Sequence, residues 1–249
     1  MKIEMLERTG DSATFLIKGA PLAFANALRR AIISEVPVFA IEDVYFYENS
    51  TSIWDEYIAH RLGLVPLKAE WGTYDENSEA KFYLDKQGPG TVYSGDLQPE
   101  TPGVEVVDPE IPIVMLREGQ NLRLEAVAKV GTAKIHAKWQ AGLASFRPVV
   151  RVEIKDEKKF RELLPDIDPK EVENQNERPQ GVDSKIYNLV DELIEDYPDV
   201  AEIKKKDDVF IFYVESYGNM PVDTLVQAAV SEILRRLEEF LTKVEGEKA

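Results

Sequence analysis

The sequence contains no cysteine. That excludes disulfides, thiol catalysis, iron–sulfur clusters and cysteine zinc sites together, because each needs a thiolate or its oxidised form. Histidine is nearly as scarce, with only His60 and His136 in 249 residues. No stretch approaches the roughly 18 uncharged apolar residues of a membrane-spanning helix. Met1 to Arg8 carry acids where a secretory leader would be apolar, so the sequence predicts a cytoplasmic protein away from any membrane. Positive charge is short as well: 30 basic against 46 acidic side chains give a formal charge of −16. Nucleic acid repels a chain this acidic unless its cations are gathered in one patch. Arg29-Arg30, Lys204-Lys205-Lys206 and Arg235-Arg236 are all short, and the lysine run meets Asp207 and Asp208 at once. No direct nucleic-acid contact is expected.

Catalytic signatures are missing too. There is no HExxH, GxSxG, GxxxxGK[ST] or GxGxxG. One constellation could carry chemistry: Glu56 and His60 stand four apart on a short helix predicted at about 54–62, and His136 could join them from elsewhere. A metal-dependent hydrolase using Glu56, His60 and His136 is therefore the alternative to a non-enzymatic chain. The ordinary reading is a solvated helix pair and a hydrogen-bonded histidine. The chain by itself is expected to have no catalytic residue, metal or cofactor.

What is present is patterned. Lys2–Arg8 and Ala13–Lys18, joined by Thr9-Gly10-Asp11-Ser12, predict a hairpin. A helix follows from about Leu22 to Glu35, between Pro21 and Pro37, with Phe24, Ala27, Leu28, Ala31 and Ile32 on one face. A second face, with Leu22, Asn26, Arg29, Arg30 and Ile33, is also partly apolar. From about 42 to 155 the texture changes to short β-like runs punctuated by prolines. The clearest run has Leu122, Leu124, Ala126, Ala128 and Val130 alternating with Arg123, Glu125, Val127 and Lys129. Beyond Asp156 the chain reads as helical and acidic, with apolar spacing at Ile186, Leu189, Val190, Leu193 and Ile194. Val209–Glu215, apolar on both faces, predicts a central strand. The last helix, about 221–244, carries a stripe of Val222, Val226, Ala229, Ile233, Leu237, Phe240 and Val244, widened by Leu225, Val230, Leu234 and Leu241. At 1.5 Å per residue it is about 36 Å long. A stripe that long suits either a partner or the chain's own sheet.

Four segments, in order, carry a resemblance. Phe24-Ala-Asn-Ala-Leu-Arg-Arg-Ala31 with Glu35-Val-Pro37 resembles the opening helix of the alpha-type subunits of cellular RNA polymerases. Asp55–Leu67 is similar to the segment that follows it in archaeal and eukaryotic members. His136-Ala-Lys-Trp139 matches a shorter tetrad, although Ala133 and Ile135 stand where relatives often carry Gly and Glu. Val209–Glu215, Gly218, Pro221 and the final helix resemble the closing strand and helix. The chain is thus similar to the archaeal branch of the family.

The resemblance implies an α+β fold: a discontinuous dimerisation domain, an antiparallel sheet with packed helices, at 1–41 and 156–249, interrupted by a β-rich inserted domain at 42–155. It implies a non-catalytic assembly subunit of DNA-directed RNA polymerase, a nucleotidyltransferase complex. Pairing with a smaller subunit, L, would use Phe24, Leu28, Ile32, Val226, Ile233, Leu237 and Phe240. Arg29 and Arg30 would lie toward a large catalytic subunit, where guanidinium forks suit carboxylates. Asp55, His60 and Arg61 would belong to the corner that docks the second-largest subunit and small zinc-bearing subunits. A homodimeric scaffold like the bacterial member is a further alternative. Several archaeal relatives hold an iron–sulfur cluster and eukaryotic ones a zinc, both through cysteines. Lacking them, this chain is expected to fold the corresponding region by ordinary packing around its acidic helices.

Overall fold

Alternation and turn chemistry set the first element. β1 (Lys2–Thr9) and β2 (Ser12–Lys18) form an antiparallel hairpin, closed at Gly10 with φ of +54°, which glycine adopts without a Cβ penalty. α1 (Leu22–Ser34) leads to the long strand β3 (Val38–Asn49) and a short helix, α2 (Asp55–Gly63). Then come β4 (Leu67–Ala69), β5 (Glu79–Gln87), β6 (Gly90–Tyr93), β7 (Gln98–Pro99), β8 (Val104–Val106), β9 (Pro112–Leu116), β10 (Asn121–Gly131) and β11 (Gly142–Ile154). Three helices follow: α3 (Glu157–Leu163), α4 (Pro169–Glu177) and α5 (Ser184–Asp196). β12 (Ala201–Ser216) and α6 (Val222–Gly246) complete the chain. The computed structural model describes residues 1–178 and 180–246.

The described residues divide into two units, each built from two stretches of chain: 1–27 with 145–213, and 28–144 with 214–246. These bounds differ from the division at 41 and 155 expected from texture. The reason is physical: α1, β11 and β12 are each continuous across a boundary, whereas composition registers only where the pattern changes.

In the first unit the strand order is β1-β2-β12-β11, so β12 is internal, as its doubly apolar run predicts. Leu16, Val149, Val209 and Ile211 form one small core, and Phe146 lies 5.6 Å from Phe210 in an edge-to-face pair. A larger core joins Val150 and Val152 of β11 to Phe160, Val172, Ile186, Val190 and Leu193 of the three helices. Each helix starts on an aspartate cap: Asp156, Asp168 and Asp183 accept backbone N–H bonds from the first turns of α3, α4 and α5. Asn176 brackets Val152, donating to its carbonyl at 2.6 Å and accepting from its N–H at 2.9 Å.

The second unit is built on the antiparallel sheet β3-β10-β5-β7. The alternation of β10 buries Leu122, Leu124, Ala126 and Ala128. Val127, expected outside, is also buried (6% exposed), where the register with β3 shifts between Val127 and Ala128. This core takes in Phe39, Ile58, Leu62, Phe82 and Leu84. The His136–Trp139 segment locks onto the sheet. His136 Nδ1 accepts from Lys138 N at 3.1 Å, Trp139 Nε1 donates to Lys129 O at 3.0 Å, and Lys138 Nζ reaches Ile41 O at 2.9 Å. A Cβ on Gly131 would lie 2.5 Å from the Trp139 ring, a ring only 5% exposed. Gly131→Ala is therefore expected to cost about 1–3 kcal/mol in denaturant unfolding. An unchanged midpoint would show that Trp139 can move aside.

Candidate functional site

α6 changes character along its length. Val222, Leu225, Ala228 and Ala229 are buried, whereas Leu234, Leu237 and Leu241 are 54–57% exposed and Phe240 is 64% exposed. Val226 and Ile233 are half-buried. Val230 and Val244 extend the exposed stripe at helical spacing, both 37% exposed. Monomeric proteins rarely leave so many large apolar side chains contiguous in water, and such patches mark interaction surfaces.

An ion cluster ties α6 to the end of α1. Glu35, 7% exposed, accepts from Arg236 at 2.6 Å on Oε2 and lies 3.0 Å from Lys134 Nζ on Oε1. Burial alone would raise its pKa; the hydrogen bonds from Lys134 and Arg236 outweigh that and hold it below the usual carboxylate value. A depressed folded pKa stabilises the fold above the unfolded value and loses that contribution as pH falls through the folded value. Acidification below about pH 4.5 is thus expected to lower stability more in the wild type than in Glu35→Gln. Parallel pH–stability curves for the two would contradict this. Nothing in the sequence announces the cluster, since Glu35 and Arg236 stand 201 positions apart.

α1 corrects two expectations. Leu28 and Ile32 are 5% and 0% exposed, so they are core residues of this chain and offer no surface to a partner. Helical spacing found the stripe but could not tell which partly apolar face turns inward. Phe24 is half-buried, Arg29 half-buried and Arg30 exposed.

α2 carries the remaining candidates. Asp55 and Glu56 occupy its first turn and His60 and Arg61 its last, a placement that complements the helix dipole. Ile58 and Leu62 anchor it to the core. The preceding loop is fixed by Asn49, whose Nδ2 donates to Ile53 O at 2.9 Å and Asp55 Oδ1 at 2.6 Å. Arg61 Nη2 donates to Pro112 O. Glu56, His60 and His136 are all exposed, and no group of metal-binding side chains assembles among the described residues. His136 instead caps the one-turn helix at 137–139. The hydrolase alternative falls with that geometry.

A groove of about 760 Å³ beside α2, missed in the sequence, is walled by Ile53, Trp54, Tyr57, Arg61, Met115 and Arg117. Spacing gave no signal for it: Trp54 stands four before Ile58 and eight before Leu62, the spacing of their shared face, and only the fold shows it outside the core, 72% exposed at the start of α2.

The site's geometry thus consists of a β-rich insertion within an α+β chain and an exposed apolar stripe on the outer half of α6, the features by which an assembly subunit would meet its neighbours. Residues 44–146 match the family model described as the RNA polymerase Rpb3/RpoA insert domain. The chain is 37% identical over 255 residues, 98% of each chain, to the DNA-directed RNA polymerase subunit Rpo3 of Pyrococcus horikoshii. It is 37% identical to that of Halobacterium salinarum, over 96% of this chain and 95% of the relative. It is 49% identical over 147 residues to that of Methanocaldococcus jannaschii, 59% of this chain and 74% of the relative. The chain belongs to the archaeal RNA polymerase subunit Rpo3 family.

Proposed function

We infer that the chain is a non-catalytic assembly subunit of an archaeal DNA-directed RNA polymerase and that it pairs with the smaller subunit L. The observation that carries the pairing is the exposed stripe on the outer half of α6, centred on Leu237 and Phe240. Obligate interfaces bury about 2,000 Å² or more and are apolar at their centre. Val226 and Ile233 continue the stripe toward the buried end of the helix, and Phe24 is a further contact. Arg29 and Arg30 on α1 face a large catalytic subunit, and Asp55, His60 and Arg61 on α2 belong to the corner that meets the second-largest subunit and small zinc-bearing subunits. The charge of −16 fits a position away from nucleic acid in the cytoplasm. An iron–sulfur cluster does not fit: its thiolate ligands are missing, and apolar side chains fill the interior of α3, α4 and α5.

Purification through an affinity tag on this chain is expected to recover L and the large subunits with nucleotidyl-transfer activity. Recovery of the chain without other polymerase subunits would overturn the reading.

A further inference from the structure

We propose that the groove beside α2 seats a short segment of another polymerase subunit in which a large apolar side chain is flanked by carboxylates. This rests on the assignment to polymerase and adds the chemistry of one contact. The groove is built to stay open. Asn49 clamps the loop before Trp54, while Gln120 Oε1 accepts from Arg117 N at 2.7 Å and its Nε2 donates to Ser50 O at 3.0 Å. These bonds hold two opposed loops, and Trp54, Tyr57 and Met115 stand 72%, 64% and 71% exposed around the space between them. Aromatic and Met anchors in a pocket of this size are what an inserted apolar side chain needs.

Charge selects the occupant. The chain carries 46 acids against 30 bases, yet none of the twelve residues lining the groove is acidic and two are arginines. Arg61 is fixed by its bond to Pro112 O, one of its five N–H donors. Guanidinium groups bind carboxylates bidentately, so acids beside the inserted apolar side chain complement this rim. Asp55, Glu56 and Glu118 adjoin the groove in sequence without lining it, and Asp55 is engaged by Asn49. A second copy of this chain would bring another −16 against −16.

The test places a photoreactive benzoylphenylalanine at position 115, in place of Met115, in the tagged full-length chain. After irradiation of the purified polymerase, mass spectrometry maps the cross-link. Expected is one peptide from another subunit with Asp or Glu within three residues of the linked apolar residue. Arg61→Glu with Arg117→Glu should reduce its yield at least fivefold, and Arg61→Lys with Arg117→Lys should retain most of it. A cross-link to a second copy, to nucleic acid or to a segment without acids overturns the proposal, as does none at all while polymerase is recovered intact. The same probe replacing Leu237 reports pairing independently. Absence of other subunits from the sample defeats the polymerase assignment and this proposal with it.

Discussion

Phe240→Asp is expected to weaken pairing with subunit L by on the order of 100-fold, about 3 kcal/mol. The size follows from placing a carboxylate without a partner at the apolar centre of an interface, where desolvation is not repaid. The chain alone should be almost unaffected, because Phe240 is 64% exposed and lies far along α6 from buried Val222 and Leu225. Half-buried Ile233 is a poorer probe: Ile233→Asp is expected to lower both pairing and the chain's own stability, so it cannot separate the two. Leu237→Asp, at 54% exposure, should behave like Phe240→Asp. Titration of labelled L against each variant measures the effect. Undiminished affinity in both Phe240→Asp and Leu237→Asp would mean that another surface carries the pairing.

The second large effect lies in the three-helix region of the first unit. Phe160→Ala is expected to cost about 3–5 kcal/mol, the range for truncating a buried aromatic side chain. Phe160 is 0% exposed and shares a core with Ile167, Val172 and Val190. With no thiolate available, that apolar core and the three aspartate caps are what hold α3, α4 and α5 together. Against a typical total of about 5–15 kcal/mol, the loss is a large fraction of the stability. Denaturant unfolding followed by circular dichroism gives the number. A cost below about 1 kcal/mol would show that the helices are held by something other than this core.

The elements with a strong period were legible. The β1–β2 hairpin, α1, α2, β10, α5 and α6 all formed close to where alternation, turn residues or helical spacing put them, because in each the local pattern matches the period or turn of the element it forms. β12 was half legible. Val209–Glu215 stood out, but the strand begins at Ala201 and runs through Lys204-Lys-Lys-Asp-Asp208, whose side chains are exposed. Only Ala201 and Ile203, packed in the core of the three helices, mark that half as apolar. It is a strand because its backbone completes a sheet, with Lys204 paired to Glu153 and Lys155 to Glu202 across it. A charged run can serve as a solvated strand as well as a loop.

The exposed apolar stripe was legible in part for a related reason. Periodicity identifies apolar faces but does not say whether a face is covered by the same chain. On α6 the stripe divides between Ala229 and Val230, from 0% to 37% exposed, and only the packed fold reveals the change. On α1 the same ambiguity resolved the other way, placing Leu28 and Ile32 in the core. The groove beside α2 was harder still, since Trp54 and Met115 come from segments 61 positions apart and neither has a pattern of its own.

If the exposed stripe on α6 is the half-interface that L completes, co-expression with L should give a stable 1:1 heterodimer that Phe240→Asp dissociates. Native mass measurement of the co-expressed pair reads this most directly. A monomer with no affinity for L, or a homodimer that excludes it, would contradict the pairing.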